Sequence, residues 1–396
     1  MVGGFIARTL AADSSLEVLL ADRDQGCLAA CQHASAAGGT PTLSTMQADL
    51  SDSDVVRSVI EAADLVIGAV PGHLGYFVLE TVLGAGKDCV DISFFPEDAL
   101  SLDGLARQRG ARAIVDCGVM PGLGGMLGAR LAADLEAEGA QVTHLRIMVG
   151  GLPLVRRWPL EYKAPFSPID VLAEYTRPAR VREWGHVAEY PALSGVEPVE
   201  LPEVGLLETF NTDGLRTLLH TLDIPNMTEK TLRYPGHAEK MRLLRDLGFF
   251  DSDAVEVRSG LSVAPLELTS RLLEGTWRLD EGEPEFTVMR VEVQATVGAA
   301  LMPPTGAING SPTFIRSCDL LDRTDPDTGD SSMARTTGWP AVLAARLMLA
   351  GVWDRPGVSA PELLGQDRRV WQHMLDGLAE GGIRLTFNPD VPAGAA

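Results

Sequence analysis

Between Leu16 and Gly118 the chain repeats one pattern: a short run that is apolar throughout, a polar or glycine-bearing turn, and a segment of helical length. The runs are EVLLAD ending at Asp22, DLVIGAV ending at Val70, DCVDIS ending at Ser93 and RAIVDCG ending at Gly118. Helices are expected between them, near 24–36, 51–62, 74–85 and 97–109. Strands with one face in water alternate apolar and polar residues, and these do not. They need cover on both faces, which helices crossing between parallel strands supply.

The first thirteen residues, MVGGFIARTLAAD, form an amphipathic helix with Ile6 and Leu10 on one face and two glycines at its mouth. In a dinucleotide-binding fold such a helix follows a buried strand and a glycine-rich turn, with Gly3 as the third glycine of the fingerprint. Asp22, nineteen residues later at a strand end, stands where a carboxylate holds the adenine ribose. Arg23 beside it is able to receive a 2′-phosphate, but the carboxylate would repel that group, so NAD is expected over NADP. The strand that should precede Gly3 would be central and paired on both sides. The expectation is therefore that residue 1 is an internal Met taken for the initiator, with a strand and Gly-x-Gly encoded upstream. Asp49, Val70, Pro71, Gly118 and Met120 complete the expected cofactor contacts.

After Gly122 the rhythm changes. A long helix, LGGMLGARLAADLEAEG, leads into a region rich in Pro, Arg and Trp and then into alternating runs such as EFTVMRVEVQATV, which suit a mixed or antiparallel sheet. From Met333 a helix opening on a Thr-Thr-Gly turn is expected to pack back on the first domain, and the tail VPAGAA to fray. The expected fold class is α/β: a doubly wound (Rossmann) parallel sheet domain over 1–121, an inserted mixed α/β substrate domain over 122–332, and C-terminal helices over 333–396, with a substrate cleft between the domains.

No apolar run approaches the length that crosses a bilayer, and a net charge of −21 with scattered Lys and Arg argues against nucleic acid. The five cysteines show neither metal-ligand nor disulfide spacing, and His33, His144, His186, His220 and His373 lack companions at ligand spacing, so no metal is expected. A reducing cytoplasm is the expected compartment, since no signal peptide is visible.

Five blocks, VDCGVMPGLGGML, GGLPLVRRWPLEYKAPFSPIDVL, FNTDGLRTLL, KTLRYPGHAEKMRLL and MARTTGWPAVLAA, resemble the saccharopine dehydrogenase family, and most of all its lysine 6-dehydrogenase branch. The resemblance implies NAD-dependent oxidation of the ε-amine of L-lysine to allysine, which cyclises, with release of ammonia, and it implies a homodimer. Saccharopine reductases usually carry a Trp-Ser-Pro-Arg-Gly type block where this chain has APFSPID. Alternatives are a saccharopine reductase-like or carboxynorspermidine-type NADP-dependent dehydrogenase, or an inactive binding or scaffold protein with a truncated cofactor site.

Hydride leaves the ε-carbon only when the nitrogen lone pair is free, and at pH 7 only about one lysine in a few thousand is neutral. A base, burial or alkaline conditions are required. His237, in the RYPGH turn, is the expected base because imidazole exchanges protons near neutral pH. Lys163 is expected to bind the substrate carboxylate or act in catalysis, and Asp91, at a strand's carboxyl end, to orient the amine or act as base. Tyr162, Arg233, Tyr234, Asp116, Thr336 and Thr337 are the expected substrate contacts.

Overall fold

The structure, a computed structural model, describes residues 2–37, 43–164, 168–280, 282–297 and 313–393. Met1, the PFS of the APFSPID block and the last three residues of the tail, on which expectations were placed, lie outside the described residues. The chain divides into two compact units, Met1–Met126 with Ala334–Ile383, and Leu127–Met333 with Arg384–Ala396. The last segment thus groups with the second unit; it was expected to return to the first with the helices before it.

In the first unit β1 (Leu19–Asp22), β2 (Ser44–Gln47), β3 (Leu65–Gly68), β4 (Asp88–Asp91) and β5 (Arg112–Ile114) alternate with helices Val2–Ala11, Gln25–Ala37, Ser53–Ile60, Gly72–Gly84 and Asp103–Arg109. Local chemistry sets these boundaries. The Asp52 side chain accepts from the Asp54 N–H at the start of one helix. Pro71 precedes the next, and Gly110, at φ 69°, ends the fifth. The apolar runs lie between helices as expected, with Cys89, Val90 and Ile114 fully buried.

The second unit holds β6 (Gln141–Pro153), β7 (Ala179–Glu183), β8 (His186–Tyr190), β9 (Glu197–Leu201), β10 (Gly205–Asn211), β11 (Asn226–Arg233), β12 (Val255–Arg258), β13 (Leu261–Val263), β14 (Glu285–Thr296) and β15 (Thr313–Arg323). The chain then passes through β16 (Gly357–Ser359) in the first unit to β17 (Leu385–Phe387) and β18 (Val391–Pro392).

Among the described residues all strand pairs of the first unit are parallel. Among the described residues they fall into two sheets, β1-β2 and β16-β5-β4-β3. Both are parallel arrangements of the doubly wound class. At the strand ends Asp22 is level with Gln47, and Gly68 with Asp91. A Cβ on Gly68 would stand 1.9 Å from Asp91 Oδ2, so only glycine lets the buried carboxylate lie across that strand.

The second unit is built on one ten-stranded mixed sheet with the path β17-β15-β14-β6-β11-β10-β9. Its spine is β6, parallel to β11 and antiparallel to β14. Helices Pro168–Thr176, His237–Asp246 and Pro265–Trp277 contribute Val171, Leu172, Tyr175, Met241 and Trp277 to a core with Leu207, Phe210, Leu232 and Phe286.

The Thr-Thr-Gly turn expected at the opening of the helix from Met333 is not a turn. The helix runs Ser332–Leu349, because the buried Glu285 carboxylate takes the Met333 N–H at 2.9 Å and satisfies its open N-terminus. Thr336 and Thr337 are therefore inside the helix, and Gly338 packs where a Cβ would meet Phe5 at 2.5 Å. Among the described residues no helix is long and apolar enough to cross a membrane.

Candidate functional site

The first unit gathers its candidates at the carboxyl ends of parallel strands. Asp22 closes β1, its Oδ1 accepting the Asp24 N–H at 2.8 Å, while Oδ2 has no hydrogen-bond partner among the described residues. Arg23 is exposed beside it. Asp49 is held by Ser51, whose N–H and hydroxyl donate to Oδ1 at 3.1 and 2.8 Å and lower its carboxyl below the usual range. A Cβ on Gly3 would touch Ala69 Cβ at 3.4 Å, so the first helix starts against the end of β3, one residue before Val70 and Pro71.

Asp91 is fully buried and its carboxylate accepts the Ser93 N–H at 2.8 Å and the Ser93 hydroxyl at 3.3 Å. Its carbonyl receives the Cys117 N–H at 2.9 Å, which ties the β4 end to the loop of Asp116 (buried, φ 50°), Gly118 and Met120. A Cβ on Gly118 would meet Thr337 Cγ2 at 3.2 Å. A half-buried carboxylate at a strand end, a helix start beside another strand and glycine-permitted close approach fit a pyridine nucleotide.

The second unit brings Tyr162, Arg233, Tyr234 and His237 together with residues the sequence did not single out. Arg233 is 3% exposed. Its Nη2 pairs with Glu174 at 3.2 Å and reaches the Tyr162 hydroxyl at 3.4 Å, and its Nε donates to the Tyr175 oxygen at 3.4 Å. The guanidinium also lies 4.3 Å from the Tyr162 ring centroid. Burial works against its charge, but the two phenols and Glu174 outweigh that and hold the proton more tightly than usual.

His237 does not fit the expectation of a base working near neutral pH. It is buried, Nδ1 faces the Leu160 carbonyl at 3.0 Å and Nε2 the Tyr175 hydroxyl at 2.9 Å. A carbonyl only accepts, so Nδ1 carries the hydrogen and Nε2 takes the Tyr175 proton. Burial first and the Arg233 charge second push its pKa down to about 3. The ring is a neutral bridge.

Lys163 also differs from expectation. Its side chain is 12% exposed, its Nζ donates to the Arg278 carbonyl at 2.7 Å and pairs with Glu283 at 3.3 Å, so its charge is already matched. The Tyr234 hydroxyl donates to the Pro153 carbonyl at 2.9 Å, under the Arg156 guanidinium. Glu208 positions the RYPGH turn by accepting the N–H groups of Gly236 and Ala238 at 2.8 and 2.7 Å. Nothing local marks Glu208, Glu174 or Tyr175 in the sequence, because each acts across strands or helices distant in the chain. Among the described residues no group of three or more His, Cys, Asp or Glu has an arrangement that would hold a metal.

Two family models match consecutive parts of the chain. Residues 1–114 match the family described as the saccharopine dehydrogenase NADP binding domain, and residues 118–383 match the saccharopine dehydrogenase C-terminal domain. The chain is 23% identical to saccharopine dehydrogenase [NADP(+), L-glutamate-forming] of Schizosaccharomyces pombe over 96% of each chain. It is 22% identical to carboxyaminopropylagmatine dehydrogenase of a Synechocystis species, covering 92% of this chain and 91% of that one. Its fold is that of apo saccharopine dehydrogenase from Saccharomyces cerevisiae, with a TM-score of 0.77, 19% identity and coverage of 99% and 98%.

A nucleotide-binding unit joined to this mixed-sheet unit defines a pyridine-nucleotide-dependent oxidoreductase acting on CH–NH donors. The chain belongs to the saccharopine dehydrogenase family, as an amine or amino-acid dehydrogenase. The α/β class and the family expected from the sequence are both found.

Proposed function

We propose that this dehydrogenase oxidises the ε-amine of L-lysine, or of a close relative, with NAD as the coenzyme. The observation that carries the proposal is that Arg233 and Lys163, the cations a saccharopine-type substrate would call on for its additional carboxylates, are already paired with Glu174 and Glu283 at 3.2 and 3.3 Å. A buried ion pair is electrically neutral to a ligand, and parting it to admit a new anion leaves a charge uncompensated. Such surroundings favour a substrate with one carboxylate over one with three.

Bound nicotinamide supplies the hydride acceptor. Asp22 supports NAD, since Oδ2 remains to accept a ribose hydroxyl and would repel a 2′-phosphate. Replacing Asp22 by serine is expected to weaken NADH binding about tenfold, roughly 1.4 kcal/mol, and to shift preference toward NADPH through Arg23. Fluorescence titration of both coenzymes checks this, and an unchanged ratio would remove Asp22 from cofactor choice.

The activity itself is tested by following NAD+ reduction with L-lysine and with saccharopine, at pH 7 and in alkaline buffer. Lysine-dependent reduction that strengthens with pH is expected, with saccharopine inert. Turnover of saccharopine with lysine inert would replace this proposal with the activity named for the fungal relatives.

A further inference from the structure

One buried acid in the second unit has no role in anything described above. Glu229 lies in the middle of β11, opposite Ile147 of β6, and is 3% exposed. Its Oε2 is fixed by the Thr212 hydroxyl at 2.6 Å and the Gly214 N–H at 3.1 Å, and Thr212 is in turn held by the Thr231 hydroxyl at 2.9 Å. The loop following β10 closes directly on the carboxylate, since a Cβ on Gly214 would stand 2.5 Å from its Cδ. Oε1 has no hydrogen-bond partner among the described residues.

The charged groups facing Glu229 are also carboxylates, Glu174 on the helix Pro168–Thr176 and Asp213 in the loop after β10. Each of those has a cation of its own: Arg233 pairs with Glu174 at 3.2 Å and Arg180 with Asp213 at 2.8 Å. Glu229 has none among the described residues. A buried carboxylate fixed through one oxygen, with no cation against it, is a site for a positively charged ligand group.

We propose that Glu229 receives the substrate's ε-ammonium on Oε1 and takes its proton. This rests on the amine-dehydrogenase reading above and deepens it. The ammonium R–CH2–NH3+ gives one proton to the carboxylate, leaving a neutral amine and a carboxylic acid. A hydride then passes from the ε-carbon to the oxidised nicotinamide, and the nitrogen lone pair forms the C=N bond of R–CH=NH2+. Water adds to that carbon, ammonium leaves with the aldehyde formed, and the proton on Glu229 returns to solvent. Separately, burial raises the Glu229 carboxyl to about 8; the Thr212 hydroxyl opposes the rise, Glu174 and Asp213 add to it, and the Gly214 N–H opposes it. A base near the working pH is the effective kind.

The test compares wild type with Glu229→Gln, which keeps the oxygen that Thr212 and Gly214 hold, and with Glu229→Asp as a second variant should the first misfold. The wild-type kcat/KM for L-lysine is expected to rise with pH through a group near 8. In Glu229→Gln that limb disappears and kcat falls about 100-fold or more, while NADH affinity is unchanged. A wild-type kcat and an unmoved acid limb in Glu229→Gln would overturn the proposal. Melting temperature with and without L-lysine or 1,5-diaminopentane separates the two levels of inference. If wild type is stabilised by these amines but turns neither over, loss of that stabilisation in Glu229→Gln supports Glu229 as the ammonium receptor and refutes only the lysine reaction. Equal stabilisation of both proteins refutes the receptor.

Discussion

Arg233→Ala is expected to destabilise the second unit by about 3–5 kcal/mol, the effect of leaving one partner of a buried ion pair behind. The guanidinium is the only group that touches Glu174, Tyr162, Tyr175 and the Leu232 carbonyl at once among the described residues, with contacts of 2.9 to 3.4 Å. Its removal strands the Glu174 carboxylate and opens a void over the Tyr162 ring, whose hydroxyl then loses its donor. For a unit of this size the melting temperature should drop by roughly 6–20 °C. A double variant, Arg233→Met with Glu174→Leu, separates charge from shape, because exchanging both partners for apolar groups is often close to neutral. Thermal or denaturant unfolding measures both. An Arg233→Ala protein within about 1 kcal/mol of wild type would show that the pair is not desolvated as described.

Gly122→Ala should be at least as damaging in the first unit, by about 4 kcal/mol or more. Gly122 has φ 130°, a conformation essentially closed to residues with a side chain. Its Cβ would lie 2.0 Å from the Gly118 oxygen and 2.5 Å from the Gly118 nitrogen, both backbone atoms that have nowhere to move. The turn is closed by Gly118 N–H donating to the Pro121 oxygen at 3.1 Å and Leu123 N–H donating to the Gly118 oxygen at 2.8 Å. Opening it would release the start of the helix Leu123–Ala137 and the loop joined to Asp91. Gly104→Ala is the control: it lies in the helix Asp103–Arg109 with nothing within 4 Å of a new Cβ, and should be neutral or stabilising by up to about 1 kcal/mol. Loss of cooperative unfolding or of NADH binding in Gly122→Ala, with Gly104→Ala intact, is the expected pattern; two equally stable proteins would contradict it.

Of the first unit's parallel strands, β1, β3, β4 and β5 were legible because their runs are apolar throughout, whereas β2, Ser44–Gln47, is short, polar and largely exposed and carries no such signal. Their ends were placed less well. β3 stops at Gly68, two residues before the Val70 expected, since the turn into Pro71 and the helix Gly72–Gly84 already begins there. Arg233, Tyr234 and His237 were recognised as a chemically capable turn and Tyr162 as a separate candidate, and the structure sets Tyr162 beside them, with the Tyr162 and His237 ring centroids 5.2 Å apart. The structure departs from the expectation of His237 as a base for a physical reason. Burial first and the Arg233 charge second lower its pKa, and both ring nitrogens are taken up by Leu160 and Tyr175, 77 and 62 residues away in the chain.

The local Thr-Thr-Gly signal suggested a turn, but Thr336 and Thr337 lie inside the helix, whose start at Ser332 is fixed by a carboxylate from β14.

The amino-acid sequence by itself determined the α/β class, the mixed character of the second sheet, the family, and which stretches carry chemistry, because periodicity and residue type act within a few neighbouring positions. Which acids and bases are matched was decided only by the tertiary structure. Whether Glu174 neutralises Arg233, whether His237 can hold a proton, and whether Glu229 is left without a cation are settled by burial and by partners from remote strands. In a low-dielectric interior those two quantities govern ionisation more strongly than the identity of the residue itself.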